Sequence, residues 1–313
     1  MATPIKFGTD GWRAIIAAEF TVENVARVTE ATGLWLKARF EHPSVVLGHD
    51  CRFAGELFME TAAKVLLAQG IHVKLSRGFV STPMISLAAN QLGCEVGIIL
   101  TASHNPPSYN GFKLKAKFGG PLEPEKINEV EALIPDTCSI DFNSIDLQAA
   151  QKSGQLEEID IETRYINHVK ANFDLAAIDQ SGLHLMYDAM YGAGQRVMPL
   201  ILPKVSLLHC EHNPSFMGTA PEPIAKNLQE LAQNIKKQGD IACALATDGD
   251  ADRIGLYNSH GEFVDSHHII LLLIHYLVKY KQMSGKVVIA FSVTPRVEKL
   301  CKHYGLELEV TKI

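Results

Sequence analysis

The chain has 313 residues, 47% of them apolar, and a formal net charge of −6. That length exceeds one typical domain and implies two or three, with enough apolar residues for several cores. The acidic balance and the lack of any dense Lys/Arg block argue against a nucleic-acid surface, whereas a phosphorylated substrate needs only a few placed cations. The amino terminus, Met1-Ala-Thr-Pro-Ile-Lys6, lacks the apolar segment of a signal peptide. The most apolar run, 269–278, carries His275 and is too short to span a bilayer. The expectation is therefore a soluble, cytoplasmic protein with no membrane partner. The six cysteines are scattered without a C-x-x-C pair and read as buried free thiols rather than disulfides or zinc ligands.

In chain order, Thr21 is placed to cap a helix over 21–37. A strand over 45–50, a helix over 55–68 and a strand over 71–75 follow. Ser81-Thr-Pro83 starts a helix that ends near Gly93, and 96–100 reads as a buried strand. The polar stretch Thr101-Ala-Ser-His-Asn-Pro-Pro107 comes next. Asn110-Gly111 signals a turn, and 112–115 alternates like a short strand. Ser103 thus stands at the carboxyl end of a core strand, where open α/β sheets place ligands; by itself the stretch reads equally well as a structural turn. Pro124 opens a helix through about residue 133, and 137–154 reads as a linker. Strand, helix and strand recur over 183–188, 192–202 and 205–208. A helix over 223–238 carries Ile224, Leu228, Leu231 and Ile235 on one stripe. A third strand–helix–strand unit occupies 286–291, 295–304 and 306–310, after an apolar helix over 267–281. Repeated units of this kind predict tandem related three-layer α/β domains with mixed, largely parallel sheets.

Thr247-Asp-Gly-Asp-Ala-Asp-Arg253 sets carboxylates at every second position between the apolar runs 241–246 and 254–257. On extended backbone, alternate side chains share one side, so Asp248, Asp250 and Asp252 converge on a hard cation such as Mg²⁺. An EF-hand loop is excluded, because Arg253 and Ser259 fall where glycine and glutamate are required. A charged hairpin turn is the remaining alternative. The histidines other than His104 form no spaced metal pair, and the neighbours His267 and His268 diverge on a helix.

Thr101-Ala-Ser-His-Asn-Pro106 together with Asp248-Gly-Asp-Ala-Asp-Arg253 resembles the α-D-phosphohexomutase family, the phosphoglucomutases and phosphomannomutases. Phe7-Gly-Thr-Asp-Gly-Trp-Arg13 resembles that family's amino-terminal signature. The resemblance implies an isomerase that interconverts hexose 1-phosphate and hexose 6-phosphate of the glucose or mannose type. Ser103 would be the phosphoserine, with glucose 1,6-bisphosphate as activator and phosphate donor. Mg²⁺ would be held by Ser103, Asp248, Asp250 and Asp252. His104 and Lys113 would move protons, Lys113 with a depressed pKa, and Arg13 and Arg253 would bind phosphate or sugar. Arg52, Lys115 and Lys117 read as surface or structural charges.

The implied domain division is a phosphoserine domain over 1–136, the linker, a metal-binding domain over 155–257 and an incomplete third domain over 258–313. Family members run longer, with a sugar-recognition loop and a fourth domain that have no counterpart here. The chain therefore reads as carboxyl-terminally truncated, which leaves a non-catalytic phosphosugar-binding or interaction protein as the alternative. The cut sheet of the third domain offers a surface for self-association.

Overall fold

All five residues of 96–100 are buried, so this strand requires cover on both faces. The computed structural model, which describes residues 3–8 and 10–312, provides it. The first sheet comprises β1 (Trp12–Ile15), β2 (Ser44–His49), β3 (His72–Ser76), β4 (Val96–Leu100), β5 (Tyr109–Ala116) and β6 (Leu156–Ile159), in spatial order β1-β5-β4-β2-β3-β6. Strands β4, β2, β3 and β6 run parallel, whereas β5 is antiparallel to both β4 and β1. Six helices accompany them: α1 (Val22–Lys37), α2 (Gly55–Ala68), α3 (Thr82–Gln91), α4 (Pro124–Glu131), α5 (Leu147–Lys152) and α6 (Ile161–Asn172).

The period-two alternation of a strand sends successive side chains to opposite cores. Val45, Leu47, Ile98 and Leu100 pack with Val25, Val28, Phe58 and Leu66 of α1 and α2. Val46 and Ile99 pack on the other side with Met84 and Ile85 of α3 and with Ile161 and Ile166 of α6. The helix starts follow local chemistry: the Thr21 hydroxyl accepts from the Asn24 amide, and the Ser81 hydroxyl from that of Met84.

The second sheet follows α7 (Leu175–Gln180). It contains β7 (His184–Asp188), β8 (Ser206–Leu208), β9 (Ile241–Thr247), β10 (Ile254–Asn258) and β11 (Phe263–Val264), with α8 (Met198–Ile201) and α9 (Gln229–Gln238) between strands. Its order is β11-β10-β9-β7-β8, with β8, β7 and β9 parallel and β10 returning antiparallel. Last come α10 (Ser266–Lys279), β12 (Lys286–Ala290), α11 (Arg296–Tyr304) and β13 (Glu307–Thr311); β12 and β13 form a two-stranded parallel sheet. The architecture is tandem three-layer α/β with mixed, largely parallel sheets. Among the described residues, no helix is long and apolar enough to cross a membrane.

Several expectations change. Asn110-Gly111 is not a turn but lies inside β5, opposite Ala14 and Arg13 of β1. Glycine is required there for closeness rather than for turning: a Cβ would lie 2.4 Å from the Thr101 carbonyl oxygen and 2.7 Å from that of Trp12. Residues 137–154 are not a free linker, since Ala150 of α5 enters the first core and Ser139 bonds to Glu30. Residues 156–159, expected in the second domain, extend the first sheet beside β3, where Lys74 and Arg77 pair with Glu157 and Glu158. The expected helix over 192–202 breaks into a 3-10 turn over Ala193–Gln195 and α8, because Gly192 and Gly194 are poor helix formers and Pro199 fits only a first turn. The helix expected from 223 starts only at Gln229; the preceding segment is pinned by the Asn227 amide on the Ala220 and Glu222 carbonyls.

Candidate active site between the first two sheets

Two loops, each at the carboxyl end of a core strand, face one another. β4 delivers Ser103, which is buried and holds a left-handed backbone with φ of 54°. Its amide donates to the Thr101 hydroxyl oxygen at 2.9 Å, and its own hydroxyl donates to Asp248 Oδ2 at 2.8 Å. β9 delivers the aspartates on a tight loop rather than on extended backbone, with Ala251 also left-handed at φ 57°. Asp248 Oδ1 accepts from the amides of Asp252 and Arg253, both at 3.0 Å, which ties the loop to its first carboxylate. This curl, not strand alternation, brings carboxylate oxygens of Asp248, Asp250 and Asp252 within 4.8 Å of one another. Gly249 admits the opposing loop, since a Cβ there would meet the Ser103 carbonyl oxygen at 2.5 Å.

The fully buried Lys113 crosses from β5. Its ammonium lies 2.7 Å from Asp10, 2.8 Å from Asp250 and 3.2 Å from Asp252. Burial alone would favour its neutral form, but the Asp250, Asp252 and Asp10 carboxylates outweigh that and raise its pKa. The expected depressed lysine is therefore corrected: this group is firmly an ammonium. Burial raises the Asp248 carboxyl, and Asp250 and Asp252 push it further. Burial pushes Asp250 the same way, but Lys113 and the Thr82 hydroxyl hold it below the usual range. Asp250 Oδ1 is buried and has no hydrogen-bond partner among the described residues. An orphaned carboxylate oxygen beside two further carboxylates is a donor set for a hard divalent cation, so these residues fit Mg²⁺.

The other expected residues stand at the rim. Burial, then the Arg253 and Arg13 guanidiniums, lowers the His104 imidazole, whose Nδ1 has no partner among the described residues. Arg13 Nη1 donates to Asn105 Oδ1 at 3.0 Å, while Arg253 is exposed. Lys117 is exposed as expected, but Lys115 is buried against Asp10 at 3.2 Å. Arg52, read as a surface or structural charge, is wholly buried beneath the serine loop. Asp10 joins the site from the amino-terminal signature, where only Arg13 is singled out, and Asp50 and Thr82 join it without any signal from motif spacing. Sequence offers one cue: Asp50 directly follows β2 and Asp188 ends β7, and in both an oxygen accepts the amide two residues on.

Fold and site together define a tandem α/β protein that sets a strained serine against an aspartate cluster across a domain interface. Models of the phosphoglucomutase/phosphomannomutase α/β/α domains I and II match residues 4–139 and 163–261. A phosphoglucosamine/phosphogalactosamine mutase of Sulfurisphaera tokodaii is 30% identical over 98% of this chain and 67% of its own length. A phosphoglucomutase/phosphomannomutase of Thermococcus kodakarensis is 31% identical over 98% of this chain and 66% of its own. A Thermus thermophilus crystal structure assigned as a phosphomannomutase aligns over all of this chain and 70% of that one, with 35% identity and a TM-score of 0.91. The chain belongs to the phosphoglucomutase/phosphomannomutase family of phosphohexomutases. It spans about two thirds of the length of these curated relatives.

Proposed function

We propose that this chain carries the phosphoryl-transfer site of a phosphohexomutase that interconverts hexose 1-phosphate and hexose 6-phosphate, with Ser103 as the phosphorylated residue. The observation that carries the reading is the Ser103 hydroxyl at 2.8 Å from Asp248, beside the orphaned Asp250 oxygen. Ser103 Oγ, Asp248, Asp250 and Asp252 would hold Mg²⁺, which when bound neutralises and polarises the transferring phosphate. On this reading the first sheet supplies the serine and the second the aspartates; β11, expected in the third domain, completes the second sheet, and α10 to β13 form a partial third domain.

In the forward transfer a sugar hydroxyl attacks the phosphorus of phosphoserine, the Ser103 Oγ–P bond breaks, and the leaving Oγ takes up one proton from solvent as the sugar hydroxyl gives one up. The neutral His104 imidazole is suited to take the hydroxyl proton. The Lys113 ammonium fixes Asp250 and Asp252 and adds positive charge, and Arg13 and Arg253 offer guanidinium donors to phosphate oxygens. The bisphosphorylated sugar then reorients and returns its other phosphate to Ser103. Glucose and mannose phosphates are the proposed substrates; the hexosamine phosphates named among the relatives are the competing choice. Glucose 1,6-bisphosphate is the proposed phosphate donor.

The test is intact mass after incubation with Mg²⁺ and glucose 1,6-bisphosphate, with Ser103→Ala in parallel. One phosphate on the parent and none on the variant supports the reading. Label on the variant, or none on a folded parent, overturns it in favour of a non-catalytic phosphosugar-binding protein.

A further inference from the structure

We propose that Arg52 is a positioning residue that holds Ser103 in its transfer-competent, left-handed conformation; this rests on Ser103 being the phosphorylated residue. A non-glycine residue at positive φ costs roughly 1–3 kcal/mol and persists only where its surroundings over-determine it. Here the constraints can be traced. Arg52 Nη2 donates to the Ser103 and Asn105 carbonyls, both at 2.7 Å, and Nη1 to those of Pro106 and Tyr109, both at 2.9 Å. One guanidinium thus gathers four carbonyls between Ser103 and the first residue of β5. The amide side of Ser103 is held by Thr101, whose hydroxyl donates to Asp50, and Asp50 faces Arg52 Nε at 3.4 Å. Both ends of the strained residue therefore lead back to the Asp50–Arg52 pair.

The second domain closes the clamp. The Phe216 ring centroid lies 5.1 Å from the guanidinium carbon, and the Ser103 carbonyl that Arg52 grips presses on Gly249. If the Ser103 peptide relaxed toward ordinary φ, its carbonyl would leave Arg52 and its hydroxyl would swing from Asp248. Lysine cannot substitute, because one ammonium has three donors on a point charge rather than a planar fork.

Arg52→Ala and Arg52→Lys are compared with the parent and Ser103→Ala by phosphate loading from glucose 1,6-bisphosphate and by amide hydrogen exchange over 101–106. Variants are read only where the melt stays cooperative and calorimetric Mg²⁺ affinity is retained. We expect loading to fall about a hundredfold, the cost of a small misplacement of a reacting group. Methylguanidinium should restore part of the rate to Arg52→Ala, and Arg52→Lys should stay impaired. Exchange of the Ser103 amide should speed up while that of β4 is unchanged. Parental loading by a folded Arg52→Lys or Arg52→Ala overturns the proposal, and the lysine variant keeps the test open should alanine fail to fold. If the parent itself does not load, the phosphoserine reading fails, and hydrogen exchange still decides: unchanged Ser103 protection in either variant overturns the role of Arg52.

Discussion

Charge bookkeeping at single residues explains much of the site's character. Two cations, Lys113 and Lys115, are buried among the carboxylates of Asp10, Asp250 and Asp252, and Asp248 adjoins them. Lys113→Met removes the ammonium that three of these carboxylates share. Breaking one side of a buried ion pair costs about 3–5 kcal/mol, so urea unfolding in chelator should show a loss of that order. Added Mg²⁺ should recover more stability in this variant than in the parent, because binding to the folded state alone stabilises it. No shift in either would argue that the aspartates bind no metal. His209 offers a second test. Its pKa is raised, first by the hydrogen bond to Asp188, against burial and with help from Glu230. A raised folded-state pKa contributes stability that is fully present below the ordinary histidine value, about 6.5, and is lost as pH rises through the folded value. Thermal melts across that window should slope downward in the parent and flatten in His209→Gln. Neither network is visible from spacing, because Asp10 and Lys113, or Asp188 and His209, meet only after the strands pair.

At the scale of elements, legibility tracked how far local chemistry agreed with burial. The runs 45–47 and 96–100 read as strands, and α1, α2 and α3 as helices, because apolar pattern and packing point the same way, with side-chain caps in addition at α1 and α3. Asn110-Gly111 misled because its turn propensity is overridden by pairing with β1, where the missing Cβ matters more than the allowed φ. Gly111→Ala should therefore destabilise by roughly 1–3 kcal/mol, the usual cost of overpacking, measured as a lower urea midpoint at unchanged slope. An unaffected midpoint would mean that the strands separate freely there. Gly249→Ala tests closeness between the domains instead. Its Cβ would strike the Ser103 carbonyl, so Ser103 loading should drop although the cores of the two sheets are untouched.

For the molecule as a whole, the last region differs from the other two. Among the described residues β12 and β13 pair only with each other, in parallel, a form that normally needs both faces covered. α10 and α11 cover one face through Ile274, Val297 and Cys301, while Leu272, Leu273, Tyr276 and Val288 are 45–57% exposed. We expect concentration-dependent self-association through this surface, visible in sedimentation velocity and reduced by Leu273→Glu with Val288→Lys. Sedimentation of the parent as a monomer at every concentration would sink the expectation.

The sequence alone determined the fold class, the principal strands and helices and the family, since those depend on local periodicity and contiguous motifs. It also singled out Ser103 and the three aspartates, whose chemistry is unusual enough to stand out by residue type. Tertiary structure alone decided which charges meet, that Lys113 is held as an ammonium, that Arg52 lies under the serine loop, and that β6 belongs to the first sheet. Those facts depend on distances between residues far apart in the chain, and on a desolvation that no single stretch of sequence encodes.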